Sequence, residues 1–170
     1  MEYTSSEAAK LLRQLNEELE ALRSMEKQCS TFNAALGEDV ESVRPTYAYE
    51  EMQERLEVVQ EKIIKVKHAL NIFNCNQQVP GFDKTIDQLL VYLPMLSYRK
   101  QKLAEMVARL PKQRVNLSAY DGNRMVVDYC YVNYDLEKVR ADYQKVTDEL
   151  SRAQNALDVI NTTVKFTIEL

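Results

Sequence analysis

YEEMQERLEVVQEKIIKVKHALNIF, residues 49–73, decides the fold class. Its apolar residues Tyr49, Met52, Leu56, Val59, Ile63, Val66, Leu70 and Phe73 recur in alternating steps of three and four. That period lays them along one seam of an α-helix. Between them stand Glu50, Glu51, Glu54, Arg55, Glu57, Glu61, Lys62, Lys65 and Lys67, which belong in water. A helix over 47–73 cannot bury such a seam alone, so it requires partner helices.

The preceding segment supplies one. Thr4 and Glu7 form a capping box that opens a helix over 4–36. Its seam is Ala8, Leu12, Leu15, Leu19, Leu22, Met25, Cys29, Phe32 and Leu36, with Gly37 as the stop. The polar stretch GEDVESVRPT, residues 37–46, connects the two helices and folds them antiparallel.

Downstream, Pro80-Gly81 marks a turn, and Thr85 with Gln88 makes a second capping box. A helix over 85–110 follows, with Ile86, Leu89, Leu93, Leu96, Leu103, Val107 and Leu110 inward and Lys100 out of place in the seam. Pro94 lies inside it and predicts a kink or break; Pro111 marks its end. The last helix, over 134–160, carries Leu136, Val139, Tyr143, Val146, Leu150, Ala153, Leu157 and Ile160. Asn133 is its expected N-cap and Asn161 its expected end.

Between these helices the period changes to two. Val115, Leu117 and Ala119, then Met125, Val127, Tyr129 and Tyr131, alternate with mostly polar residues around Asp121-Gly122. This predicts a β-hairpin over 113–131. A two-residue loop sets Val115 opposite Asp128. A three-residue loop ending at Gly122 sets Val115 opposite Val127 and Arg114 opposite Asp128, gives one apolar face that includes Tyr129 and Tyr131, and is the expected register. Residues 163–169 alternate Val164, Phe166 and Ile168 with Lys165, Thr167 and Glu169, so they form a strand. A lone strand is not stable, and the hairpin is its expected partner. The expected fold is mainly α, over 1–170 as a single elongated domain: four long heptad-patterned antiparallel helices in a coiled-coil-like bundle, with a small three-stranded antiparallel sheet.

YEEMQERLEVVQEKIIKVKHALNIFN, TIDQLLVYLPMLSYRKQKLAEM and LSRAQNALDVINTTVKF together resemble a family of small bacterial helical proteins, some of which carry the name septicolysin. The non-heptad residues Asn71, Asn74, the Thr85–Gln88 start and Asn161-Thr162 carry that resemblance. It brings no catalytic residues with it. The order helix, hairpin, helix is also similar to prefoldin-type holdases, from which the extra helices and the terminal strand depart.

The chain has 170 residues and a net charge of −4, which suits one domain and argues against a nucleic-acid binder. It opens without a basic-then-apolar leader and holds no apolar run long enough to span a membrane. Cys29, Cys75 and Cys130 are widely spaced and odd in number, as expected of free thiols in a cytoplasmic protein. His68 is the only histidine and has no ligand partner at helical spacing, so no metal is expected. No phosphate-binding glycine loop or nucleophile motif is present, and no cofactor or catalytic residue is assigned.

Two places could be more than structure. The corner after the second helix gathers Asn71, Asn74, Asn76, Thr85 and Asp87, with Arg99 and Lys100 beyond Pro94. These read as cap and turn chemistry, or as a polar site for a small ligand or enzyme. The run 97–114 holds Arg99, Lys100, Lys102, Arg109, Lys112 and Arg114 against Glu105 alone. It reads as helix-end charge, or with Tyr120 and Tyr134 as a partner surface formed by Arg109, Lys112 and Arg114. The expected function is therefore that of an interaction or scaffold protein rather than an enzyme. It would take a protein partner, or self-associate through helix seams. A prefoldin-like holdase and a small-ligand site at 71–100 are the alternatives.

Overall fold

The seam of residues 49–73 is a buried helix face. Met52, Leu56, Val59, Ile63, Val66 and Phe73 are all buried, and Tyr49 alone of the eight is exposed. The computed structural model describes residues 1–115 and 128–170. In chain order the elements are β1 (Glu2–Thr4), α1 (Ser5–Cys29), α2 (Val40–Val43), α3 (Tyr49–Asn76), α4 (Ile86–Val107), β2 (Lys112–Arg114), β3 (Tyr129–Tyr131), α5 (Leu136–Thr163) and β4 (Lys165–Thr167). They form two compact units, residues 1–78 with 157–170 and residues 79–156.

In the first unit, α1 packs on α3 of the same chain. Ala8, Leu15, Leu19 and Leu22 meet Met52, Leu56, Val59, Ile63 and Val66 in one core, with Ile168 among them. Each such side chain taken fully out of water contributes roughly 1.5–3 kcal/mol. The helices are antiparallel. Glu26, near the end of α1, accepts from Tyr47 Oη at 3.2 Å and from Gln53 Nε2 at 2.6 Å, near the start of α3. Both bonds of the Thr4–Glu7 capping box are present.

Helix α1 ends at Cys29, not at residue 36. Its partner α3 begins at Tyr49, so the last seam positions, from Met25 on, have little to face. Met25, Phe32 and Leu36 are accordingly exposed. Gly37 does not cap the helix; it takes φ +89° in a turn closed by Glu38 N–H to Ala35 C=O at 3.0 Å.

Among the described residues the strands make two two-stranded antiparallel sheets rather than the expected three-stranded one. β4 pairs with β1, matching Glu2 to Thr167, Tyr3 to Phe166 and Thr4 to Lys165. A three-residue strand such as β1 is too short to show a period. Phe166 of β4 stacks on Phe73 of α3, with centroids 4.6 Å apart and planes 17° apart.

In the second unit, Pro80-Gly81 makes the expected turn. Phe82 N–H bonds Val79 C=O at 3.1 Å, and Gly81 has φ +80°, as a type II turn requires. The Thr85–Gln88 box opens α4. The helix runs unbroken through Pro94, which lies on the exposed side, where water can serve the Leu90 carbonyl that the proline leaves unpaired. It ends at Val107 rather than 110, because the residue before Pro111 is held extended.

Leu96 and Leu103 of α4 pack against Val139, Val146 and Leu150 of α5. Tyr92 Oη donates to Glu149 at 2.8 Å and Tyr134 Oη to Met106 C=O at 2.8 Å, so these helices are also antiparallel. The α5 N-cap is Asp135, not Asn133. Its carboxylate accepts from Glu137 N–H at 2.9 Å and Lys138 N–H at 3.2 Å. The helix passes Asn161 to Thr163, and the hydroxyls of Thr162 and Thr163 bond back to Asp158 and Val159 carbonyls.

The hairpin is present, but in the other register. Lys112 pairs with Tyr131, Gln113 with Cys130 and Arg114 with Tyr129, and Val115 N–H bonds Asp128 C=O at 2.9 Å. The expected register rested on a buried apolar face. Tyr129 and Tyr131 are instead exposed, with Lys112 Nζ lying 4.1 Å and 5.4 Å from their ring centroids. The expected pairs beyond Val115, and Gly122 with its loop, lie outside the described residues.

Candidate functional site

The asparagines of the polar corner sit on the last turns of α3. Asn71 is exposed, Asn74 half-buried, and Asn76 exposed with its Nδ2 donating to Ile72 C=O at 2.9 Å. In the second unit, Thr85 accepts from Gln88 N–H as the α4 cap. Asp87 is exposed in the first turn, where the helix dipole favours it. Arg99 is exposed and Lys100 half-buried, further along α4. Asn76 and Thr85 are therefore engaged in local backbone bonding.

Of the expected partner surface, Arg109, Lys112 and Arg114 are exposed around the end of α4 and on β2. Tyr134 is half-buried: its ring packs on the α4–α5 core and its hydroxyl donates to Met106 C=O. Tyr120 lies outside the described residues. Among the described residues, no three His, Cys, Asp or Glu side chains gather in a metal-binding arrangement. Among the described residues, no helix is long and apolar enough to cross a membrane.

Two features stand out. The first is an open groove of about 650 Å³ in the first unit. Lys65, His68, Ala69, Ile72, Phe73, Asn76 and Gln77 of the α3 end form one wall, and Phe166, Thr167 and Glu169 form the other. The Phe73–Phe166 stack lies within its lining and Ile72 is half exposed to it. Of the three asparagines, only Asn76 lines it. The sequence showed Phe73 and Phe166 as core positions but gave no sign that they meet.

The second feature is the outer face of α4. Leu90, Val91, Met95 and Tyr98 are 48%, 58%, 61% and 72% exposed. At 100° per residue Val91, Met95 and Tyr98 fall within about 60° of one another, on the side away from Ile86, Leu89, Leu96 and Leu103, and Leu90 flanks them. Arg99 and Lys102 follow directly. The signal was in LLVYLPML, residues 89–96, which is apolar on all sides rather than along one seam. Reading it for its seam alone missed the outer stripe.

The hydrogen bond to Glu149, helped by desolvation, raises the Tyr92 pKa above its ordinary 10.0 and keeps the phenol protonated. Desolvation, then the bond to Glu26, does the same for Tyr47.

No family model matches the chain, and no curated protein does. Among solved structures, it is similar to the crystal structure of a functionally unknown conserved protein from Corynebacterium diphtheriae. The TM-score is 0.57 at 12% identity, covering 98% of this chain and 100% of that one. The two share a fold.

Proposed function

We propose that this chain is a non-enzymatic interaction protein that binds a protein partner on the outer face of α4. The observation that carries the reading is the contiguous exposure of Val91, Met95 and Tyr98 on one helix side, with exposed Leu90 at its margin. Contiguous exposed apolar surface marks a contact site far more often than scattered residues do. Met and Tyr are favoured there because they adapt and offer large area at little entropic cost. Arg99 and Lys102 beside the stripe suit a partner whose apolar helix face carries acidic residues. The antiparallel pairs α1–α3 and α4–α5 pack as short coiled coils in this reading, and serve as rigid supports. Three free cysteines fit a cytoplasmic setting. We place the chain with the septicolysin-type proteins on the Asn71, Asn74 and Thr85–Gln88 residues.

The test is co-purification with the tagged chain and with a Val91→Asp/Met95→Asp variant. Both positions are exposed, so the variant is expected to keep its fold and lose the partner. Recovery of the same proteins by both would remove α4 as the contact. Sedimentation at low micromolar concentration separates a foreign partner from a second copy.

The second unit, in which a hairpin joins two antiparallel helices, also favours a prefoldin-like holdase. That reading requires suppression of client aggregation at stoichiometric protein, and an unchanged aggregation rate would dismiss it.

A further inference from the structure

β4 alternates its side chains between two faces. Ile168 is buried and Phe166 stacks on Phe73, so both lie on the inner face. Thr167 and Glu169 belong to the outer face and are exposed. The groove is lined by Phe166, Thr167 and Glu169 together. A groove that touches both faces of a strand runs along its edge. One edge of β4 is already taken by β1. Met1 and Ile168 exchange two backbone bonds of 2.9 Å each. Antiparallel ladders alternate, so Phe166 also bonds Tyr3, while the N–H and C=O of Lys165 and Thr167 point to the opposite edge. The groove therefore follows the edge of β4 that no described strand pairs, with the end of α3 as its far wall.

We propose that this groove receives an extended peptide of a partner protein, added to β4 as a third strand. Its backbone meets the outward N–H and C=O groups of Lys165 and Thr167, which supply affinity without sequence demands. One apolar side chain of the peptide rests on Ala69, Ile72 and the Phe73–Phe166 stack. An acidic side chain meets Lys65 on the α3 wall, on the other side of the groove from Glu169. β4 of a second copy already carries β1 on its other edge, so a whole two-stranded sheet would have to enter the space between β4 and the α3 wall; a lone extended segment of another protein is the occupant that fits. The site deepens the reading of the chain as an interaction protein and makes no use of α4.

The probe is a short set of fluorescein-labelled heptapeptides that alternate glutamate with valine, leucine or phenylalanine, titrated into the full chain by anisotropy. Saturable binding is expected. Thr167→Pro removes the outward N–H yet leaves the ladder to β1 intact, because an edge proline whose nitrogen faces outward is tolerated. It is expected to weaken binding about tenfold or more at an unchanged melting temperature. Ile72→Glu, at a residue 49% exposed, is expected to do the same by charging the apolar wall. Val91→Asp/Met95→Asp is expected to leave the peptide affinity unchanged, so this site and the α4 face fail separately. The proposal is overturned if no peptide binds, or if Thr167→Pro and Ile72→Glu both bind as wild type. It is equally overturned if the wild type is a dimer that Thr167→Pro splits, since the edge then belongs to a second copy.

Discussion

At the scale of single residues, the two capping boxes are the most instructive pair. Thr4 with Glu7 and Thr85 with Gln88 make the same two bonds, one with a charged partner and one with a neutral one. The backbone N–H of Thr4, 2.8 Å from the Glu7 carboxylate, holds that carboxyl below its ordinary pKa of 4.5; the Thr4 hydroxyl adds to this, as do Lys165 and Lys10 to a lesser degree. A depressed carboxyl stabilises the fold fully above its unfolded value, and the contribution fades as pH falls through the folded value. Glu7→Gln should keep the box, as Gln88 does, and lose only this charge-dependent part. The melting-temperature gap between wild type and Glu7→Gln should therefore shrink as pH drops below about 4.5. A gap that stays constant from neutral to acid pH would show that the charge contributes nothing. Thr147 offers a second residue-level test. Its hydroxyl is buried with no hydrogen-bond partner among the described residues. Thr147→Val keeps the shape and removes the unsatisfied group, so it should raise stability by about 1 kcal/mol in denaturant melts. A loss of stability would mean that the hydroxyl does have a partner.

At the scale of elements, what could be read from the sequence depended on what sets each boundary. The seams of α3 and α5 were legible because every third or fourth residue is apolar and every such position but Tyr49 is buried or half-buried. The end of α1 was not, because it is set by where α3 starts rather than by any residue near Cys29. Ser30 and Thr31 offer only a weak stop, and the apolar Phe32 and Leu36 continue the pattern past it. The hairpin was legible as an element and misread in register. The pairing was argued from a buried face, while the described strands hold exposed tyrosines against Lys112. The register has a direct test in disulfide formation. Gln113 lies opposite Cys130, so Gln113→Cys should oxidise to a disulfide with Cys130 that peptide mapping identifies. In the rejected register Lys112 would hold that place. A bond formed by Lys112→Cys and not by Gln113→Cys would overturn the observed pairing.

At the scale of the whole molecule, each unit closes its own core from one antiparallel helix pair. The first adds the β1–β4 ladder and the second the β2–β3 hairpin. The apolar groups that remain exposed on α4 are then surplus to both cores. The sequence announced the helices that support the two candidate sites but not the sites themselves. The groove depends on β1 meeting β4 and Phe166 meeting Phe73, contacts between residues far apart in the chain. The α4 face was present in LLVYLPML but was concealed by a seam that accounted for half of it. Within the polar corner that was prominent in the sequence, Thr85 caps α4, Asn76 bonds Ile72 C=O, and Asn76 alone of the asparagines lines the groove.

The central claim is that α4 presents its outer face to a partner protein. Its most direct test is site-specific photo-crosslinking in the native cell, with a photoreactive phenylalanine placed at Tyr98 and, as control, at the exposed polar position Gln154 of α5. The account predicts a discrete covalent adduct with another protein from the Tyr98 position and none from Gln154. No adduct from Tyr98, or the same adduct from both positions, would contradict it.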